Sequence, residues 1–111
     1  MKKFMFLYTG GGGGTHGAPP TEAQMADIMK RWQAWLGSLG DVLVDGGNPF
    51  GSDVKNIVSN GAVSDGPVGV QATGYTLVAA ESLDQAVKVA QGCPGLDDGA
   101  DITVYEVLDV M

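Results

Sequence analysis

His16 and Asp65 are the side chains of this sequence best suited to acid–base chemistry. His16 is the single histidine of the chain and lies in the segment TGGGGGTHGAPP, residues 9–20. Imidazole has an ordinary pKa near neutrality, which makes His16 a candidate general acid or base. Catalytic groups need fixed positions and the flanking glycines give no rigid support, so a histidine in an exposed loop is the alternative.

Asp65 begins the short motif Asp65-Gly66-Pro67. Gly and Pro favour a tight turn, and an Asp carboxylate can accept hydrogen bonds from backbone amides two residues on. One interpretation is therefore a turn cap. The other is a carboxylate held at the mouth of a cavity, acting as a catalytic acid or base. If the intervening strands pair, three further polar residues are expected near this motif: Asp45, Asn48 and Ser64.

The five consecutive glycines before Thr15 do not predict a nucleotide site. Gly12, Gly14 and Gly17 formally match the pattern G-x-G-x-x-G. In a dinucleotide fold, however, the last glycine packs where the helix opens, so that the helix N-terminus meets the pyrophosphate. Here residues 18–20 separate Gly17 from the predicted helix. No G-K-[S/T] follows, so we expect neither a phosphate loop nor a nucleotide cofactor.

Two predicted helices begin with capping boxes, Thr21 with Gln24 and Ser82 with Gln85. Apolar residues at helical spacing follow the first box and form a stripe. The stripe consists of Met25, Ile28, Met29, Trp32, Leu36 and Leu39. Trp32 lies on the stripe and is expected in the core. Trp35 lies at the edge of the stripe and is a candidate for a ligand pocket or an interface.

Strands are predicted on both sides of each helix. Their segments are residues 3–8, Val42–Asp45, Lys55–Ser59, Tyr75–Ala80 and residues 101–110. The short turn-forming link between the second and third segments predicts an antiparallel hairpin. The order predicts an α+β fold with a ferredoxin-like β-α-β-β-α-β arrangement, in which two helices cover one face of an antiparallel sheet. That arrangement has four strands, one fewer than the segments predicted here.

The first strand is apolar on both faces. Phe4, Phe6 and Tyr8 alternate with Met5 and Leu7. The helices cover one face, and in a monomer the other face should be polar. We therefore expect a second copy of the chain to cover it in a two-fold dimer, which gives a dimeric α+β barrel. Loops folded over that face are the alternative.

Composition limits the possible partners. The chain has 111 residues, which fits one domain spanning residues 1–111, and its net charge is −7. This charge argues against a nucleic-acid partner and against an anionic membrane surface. One Cys and one His argue against a structural zinc site, and no metal is expected. The apolar run Phe4–Tyr8 is too short for a signal peptide, so a cytoplasmic protein is expected.

Residues 64–107, SDGPVGVQATGYTLVAAESLDQAVKVAQGCPGLDDGADITVYEV, resemble the DGPF branch of the YCII-related proteins. The matching features are Asp65-Gly66-Pro67, the apolar strand, the capped second helix, Cys93-Pro94 and the final strand. The resemblance implies a dimeric α+β barrel and, as in some relatives, an enzyme using a His–Asp pair. Two features depart from the pattern: Val68 stands in place of Phe, and the first helix lacks the histidine of those relatives.

Three functions remain open from the sequence. One is a cofactor-independent enzyme with Asp65 as acid or base and His16 as its partner. Another is a non-catalytic dimer that binds a small organic molecule, with Trp35, Ser64, Asn48 and Asp45 around the pocket. The third is a purely structural dimer. The missing helix histidine favours the ligand-binding function, although a barrel can also promote a reaction by positioning alone.

Overall fold

The structure, a computed structural model, describes residues 1–10, 21–67 and 69–110. The described elements are β1 (Lys2–Gly10), α1 (Glu22–Leu39), β2 (Leu43–Asp45), β3 (Lys55–Ile57), β4 (Val63–Asp65), β5 (Ala72–Ala80), α2 (Leu83–Ala90) and β6 (Ala100–Val107). Short 3-10 turns follow both helices. The protein is thus an α+β protein with two helices, and an antiparallel sheet forms its centre.

Four strands form the main sheet in the order β2-β5-β1-β6. Each neighbouring pair is antiparallel, and β1 lies in the centre, with Phe6 opposite Thr76 of β5 and Val104 of β6. Leaving aside β3 and β4, the chain order is β-α-β-β-α-β. This arrangement is compatible with the predicted ferredoxin-like fold.

The predicted hairpin between β2 and β3 is wrong. β2 pairs with β5, whereas β3 pairs with β4 in a separate two-stranded sheet. After β2 the chain continues beside β5, where the Phe50 N–H donates to the Thr73 carbonyl. The true hairpin turns at Asn60-Gly61, and Gly61 has a φ of 89° there. An Asn-Gly pair is a strong hairpin signal, so the sequence did contain the correct turn.

Both helices begin at the predicted caps. Thr21 and Gln24 form the full capping box at the start of α1. At α2, the Ser82 hydroxyl accepts from the Gln85 N–H, as predicted. The Gln85 side chain accepts from the N–H of Glu81 rather than that of Ser82, so the second box is displaced by one residue. The last strand, predicted to reach residue 110, ends at Val107.

One face of the main sheet forms the core. Phe4, Phe6 and Val78 are fully buried there, and α1 and α2 cover them. Trp35 is the contribution of α1 to this core, whereas α2 contributes two alanines, which let it lie close to the sheet. The opposite face carries Met5, Leu7 and Leu77, which are half-buried. The predicted division of β1 into two apolar faces is confirmed.

A substitution at Gly47 tests the path that the chain follows after β2, beside β5. The φ of Gly47 is 73°, and a Cβ there would lie 1.7 Å from the carbonyl oxygen of Tyr75. We expect Gly47→Ala to lower the free energy of unfolding by at least about 2 kcal/mol, because strain and the clash act together. Urea denaturation followed by circular dichroism measures this.

Gly37→Ala is the matched control for that experiment. Gly37 lies inside α1, and a Cβ there would meet nothing within 4 Å. Alanine is the better helix former, so this variant should gain up to about 1 kcal/mol. Equal urea midpoints for Gly47→Ala and the unaltered protein would contradict the described path.

Candidate ligand cavity

A cavity of about 540 Å³ lies between α1 and the core face of the sheet. Residues 25–36 of α1 contribute one wall, and the ends of β1 and β5 with residues 46–49 form the other. The volume is in the range of pockets that hold small organic molecules, about 300–1,000 Å³. The position also fits the usual one for such pockets, a concave space between secondary-structure elements.

The helix wall of the cavity is largely apolar, with Gln33 as its polar residue. Its main residues are Met25, Ile28, Met29, Trp32 and Leu36. They belong to the apolar stripe predicted from helical spacing, which here faces a cavity for part of its length. Met29 is 54% exposed, a large fraction for a methionine on the inner side of a helix. The cavity is therefore accessible from solvent along this edge of α1.

The aromatic residues determine how far α1 stands from the sheet. Trp35 stacks on Phe6 with ring centroids 6.5 Å apart, and Trp32 meets Tyr8 edge-on at 5.3 Å. Trp32 also touches Gly95, where an added Cβ would lie 3.0 Å from its ring. These contacts fix both indoles. Trp32 is thereby held as a rigid part of the cavity wall.

Two hydroxyl groups provide a polar patch on the sheet side of the cavity. The Tyr8 hydroxyl donates to Thr76 Oγ1 at 2.7 Å, and the Thr76 hydroxyl donates to the Gly46 carbonyl at 3.1 Å. All three residues line the cavity. Burial raises the pKa of the Tyr8 phenol above its ordinary value, although the bond to Thr76 acts in the opposite direction. Tyr8 is therefore neutral at physiological pH.

The Cys93 thiol lies beside the Tyr8 hydroxyl in the core. Burial raises the pKa of this thiol as well, while a backbone hydrogen bond at Gly95 and the Tyr8 hydroxyl lower it. A raised pKa means that the thiol stays protonated, which makes it a poor nucleophile. Cys93 therefore has the character of a core residue.

An ion pair borders the cavity beside Trp32. One terminal nitrogen of Arg31 donates to both carboxylate oxygens of Asp98, at 3.1 and 3.3 Å. Arg31 Nε also donates to Asp27, one turn earlier on α1. The hydrogen bond to Asp98 raises the pKa of Arg31 further above its ordinary value. Asp98 lines the cavity with its charge already balanced by Arg31.

The structure separates the residues predicted to surround a pocket. Asn48 lines the cavity. Asp45 lies just before the lining residues 46–49, where its carboxylate accepts from the Gly47 N–H at 2.8 Å and stabilises the turn. Trp35 is 9% exposed, lies in the core and is not among the described residues that line the cavity. Its neighbour Trp32, expected in the core, is half-buried and lines the cavity.

The packing of α1 explains why Trp35 lies in the core while Trp32 lines the cavity. Sequence periodicity shows which residues share a face, but it does not show which part of that face touches the sheet. The C-terminal half of α1 contacts the sheet through Trp35. Most of the stripe, from Met25 to Leu36, lines the cavity instead.

Asp65 and Ser64 lie in β4, in the two-stranded sheet. The Asp65 side chain is 90% exposed and pairs with Lys55. The proposed cap on the amide two residues on is wrong, because that residue is Pro67, which has no N–H. Ser64 is exposed opposite Asn56. Neither residue is among the described residues that line the cavity, and His16 lies outside the described residues.

A search against protein-family models found no match for this chain, and a search of curated proteins found none either. Among residues 1–10, 21–67 and 69–110, no group of three His, Cys, Asp or Glu side chains is placed to bind a metal. In the same part of the chain, neither helix is long and apolar enough to cross a membrane.

The burial of Tyr8 predicts a pH dependence of stability. Above about pH 10, the unfolded chain loses the Tyr8 proton while the folded protein retains it. The free energy of unfolding should therefore fall by about 1.4 kcal/mol per pH unit relative to that of Tyr8→Phe. Urea denaturation of both proteins between about pH 8 and pH 11 measures the difference. Parallel pH profiles would show that Tyr8 titrates normally.

Proposed function

We propose that this protein binds a small organic molecule in the cavity beneath α1 and acts as a dimeric α+β barrel of the YCII-related kind. The observation that carries the proposal is the cavity itself, about 540 Å³ with a largely apolar helix wall and a buried hydroxyl pair opposite it. A few polar groups in an apolar concave space are the usual composition of a ligand site. The acidic net charge of −7 disfavours nucleic acid as the partner.

Binding rather than catalysis is the function that the geometry supports best. Among the described lining residues, Tyr8, Tyr75 and Asp98 have ionisable side chains. The Tyr75 hydroxyl donates to Asp45 at 3.5 Å. Tyr8 is held neutral by burial, and Asp98 is bound to Arg31. An acid–base enzyme using Asp65 with His16 is the alternative. It would need the exposed Asp65 to reach a bound ligand, for example one held by a second copy of the chain.

Melting temperatures measured with a panel of small aromatic compounds test the ligand site. A ligand that binds the folded state well above its Kd should raise Tm by several degrees. Met29→Glu places a carboxylate on the exposed edge of the cavity wall and should abolish the shift. Ala34→Glu adds the same charge to α1 at an exposed residue away from the cavity and should preserve it. Equal loss in both variants would contradict binding at the cavity.

The same panel separates binding from the enzyme alternative. Asp65→Asn removes the carboxylate but leaves the cavity lining unchanged. We expect unaltered ligand-induced Tm shifts in this variant, because Asp65 is 90% exposed beside Lys55. A turnover of any bound compound that Asp65→Asn abolishes would establish the enzyme function instead.

The homodimer rests on the uncovered face of the main sheet. Met5, Leu7 and Leu77 are half-buried there, and Tyr105 is 52% exposed. In the separate sheet of β3 and β4, Ile57 is also exposed. Adjacent apolar residues on one surface are typical of a protein interface, and a two-fold axis lets the same surface cover itself.

Tyr105→Glu tests the dimer, because it places a charge in the proposed interface at an exposed residue. Sedimentation should give twice 11.4 kDa for the unaltered protein and 11.4 kDa for the variant. Leu83→Glu, with a similar exposure of 51% on α2, should remain a dimer. A monomeric mass for the unaltered protein would reject the dimer.

A further inference from the structure

The hydroxyl pair in the cavity has a fixed direction of hydrogen bonding. The Gly46 carbonyl can only accept, so the single hydroxyl proton of Thr76 must point to it. Thr76 Oγ1 can then meet the Tyr8 hydroxyl only as an acceptor, and Tyr8 must be the donor. The direction of both hydrogen bonds is thus set by the Gly46 carbonyl, which cannot donate.

The consequence is that neither hydroxyl has a proton left for a ligand. The oxygen atoms retain lone pairs, since each hydroxyl oxygen can accept two hydrogen bonds. One of the two lone pairs on Thr76 Oγ1 accepts the hydrogen bond from Tyr8. Thr76 is fully buried, so a ligand does not reach its remaining lone pair. Tyr8 is 6% exposed, and the Cys93 thiol can donate to its oxygen at most once, which leaves a free lone pair on that oxygen. The patch therefore offers the Tyr8 oxygen as an acceptor.

The charge around the patch disfavours an anion. At the cavity border two carboxylates, Asp98 and Asp27, share the single cation Arg31, so this group carries a net negative charge. The opposite wall is largely apolar, and the whole chain carries −7. Moving a carboxylate out of water into such a site without a cation is unfavourable.

We propose that the cavity selects uncharged, largely apolar ligands that carry one hydroxyl or N–H donor, which binds the Tyr8 hydroxyl oxygen. This inference rests on the proposed ligand site and specifies its chemistry. A phenol or an alcohol fits this description. A carboxylate is rejected by its charge, and an ether or a ketone lacks the proton that the patch requires.

Three compounds with one shared body test the selection: 4-phenylphenol, 4-methoxybiphenyl and biphenyl-4-carboxylate. At about pH 7.5 the phenol is neutral and the carboxylate is charged. Calorimetry should give the phenol the lowest Kd, at least fivefold below that of the ether and more than tenfold below that of the carboxylate. A phenol and an ether of equal Kd would overturn the inference, as would a carboxylate that binds as well as the phenol.

Thr76→Val supplies a sharper test, because it changes the direction of the hydrogen bonding. Valine has the same shape but no hydroxyl, so the Tyr8 proton becomes free to be donated. A fourth probe, 4-acetylbiphenyl, carries a carbonyl acceptor. In the variant, the ratio of ketone Kd to phenol Kd should fall at least fivefold. In Tyr8→Phe, which has no hydroxyl proton to donate, the ketone Kd should not fall. An unchanged ratio in a folded Thr76→Val protein would overturn the inference.

The outcomes separate this inference from the proposed function. If none of the four compounds binds the unaltered protein, the cavity is not a ligand site for such molecules and both ideas fail. If the carboxylate or the ether binds as well as the phenol, the site stands and the selection fails. The comparison among compounds uses the unaltered protein and holds even if a variant does not fold.

Discussion

The contact between Trp35 and Phe6 holds the C-terminal half of α1 against the centre of the sheet. Of the residues of α1, all of them described, Trp35 is the only one that is buried. Phe6 lies on β1, which pairs along nearly its whole length with β5 on one side and β6 on the other, and is therefore fixed by the most extensively paired part of the sheet. Because α1 is anchored at one end, its other end can stand away from the sheet. The cavity is the space that results.

Small residues on the sheet side keep this space open. Gly74 lies on the core face of β5, where an added Cβ would come within 3.2 Å of the Asn48 carbonyl. Gly46 and Gly47 let the chain pass close to the same strand, and Asp45 stabilises that turn. Because the chain at Gly46 and Gly47 passes close to the backbone of β5, these residues place no side chains in the cavity from this side. The same approach brings the Gly46 carbonyl to Thr76, which sets the direction of the buried hydroxyl pair.

Local patterns predicted much of this architecture. The capping box at Thr21 fixed the start of α1, and the alternation in β1 predicted one covered face and one uncovered face. The hairpin was misplaced because strand pairing depends on contacts far along the chain. A turn-forming segment after β2 does not by itself reveal that β5, about thirty residues later, will be the partner. The Asn60-Gly61 turn was local and could have been predicted.

The candidate site was predicted less well, for a related reason. Asp65 and His16 stood out by residue type, but a titratable group forms a site only where the fold encloses it, and Asp65 is 90% exposed. Tyr8 and Thr76 were unremarkable as strand residues; they meet across 68 positions of sequence.

The sequence by itself therefore determined both helices, every strand except β4, the apolar faces and the charge, because these depend on neighbouring residues and on composition. Only the tertiary structure decided which part of the helix stripe faces a cavity and which hydroxyls line it. Those features depend on where distant strands pair and on where a single large side chain anchors the helix.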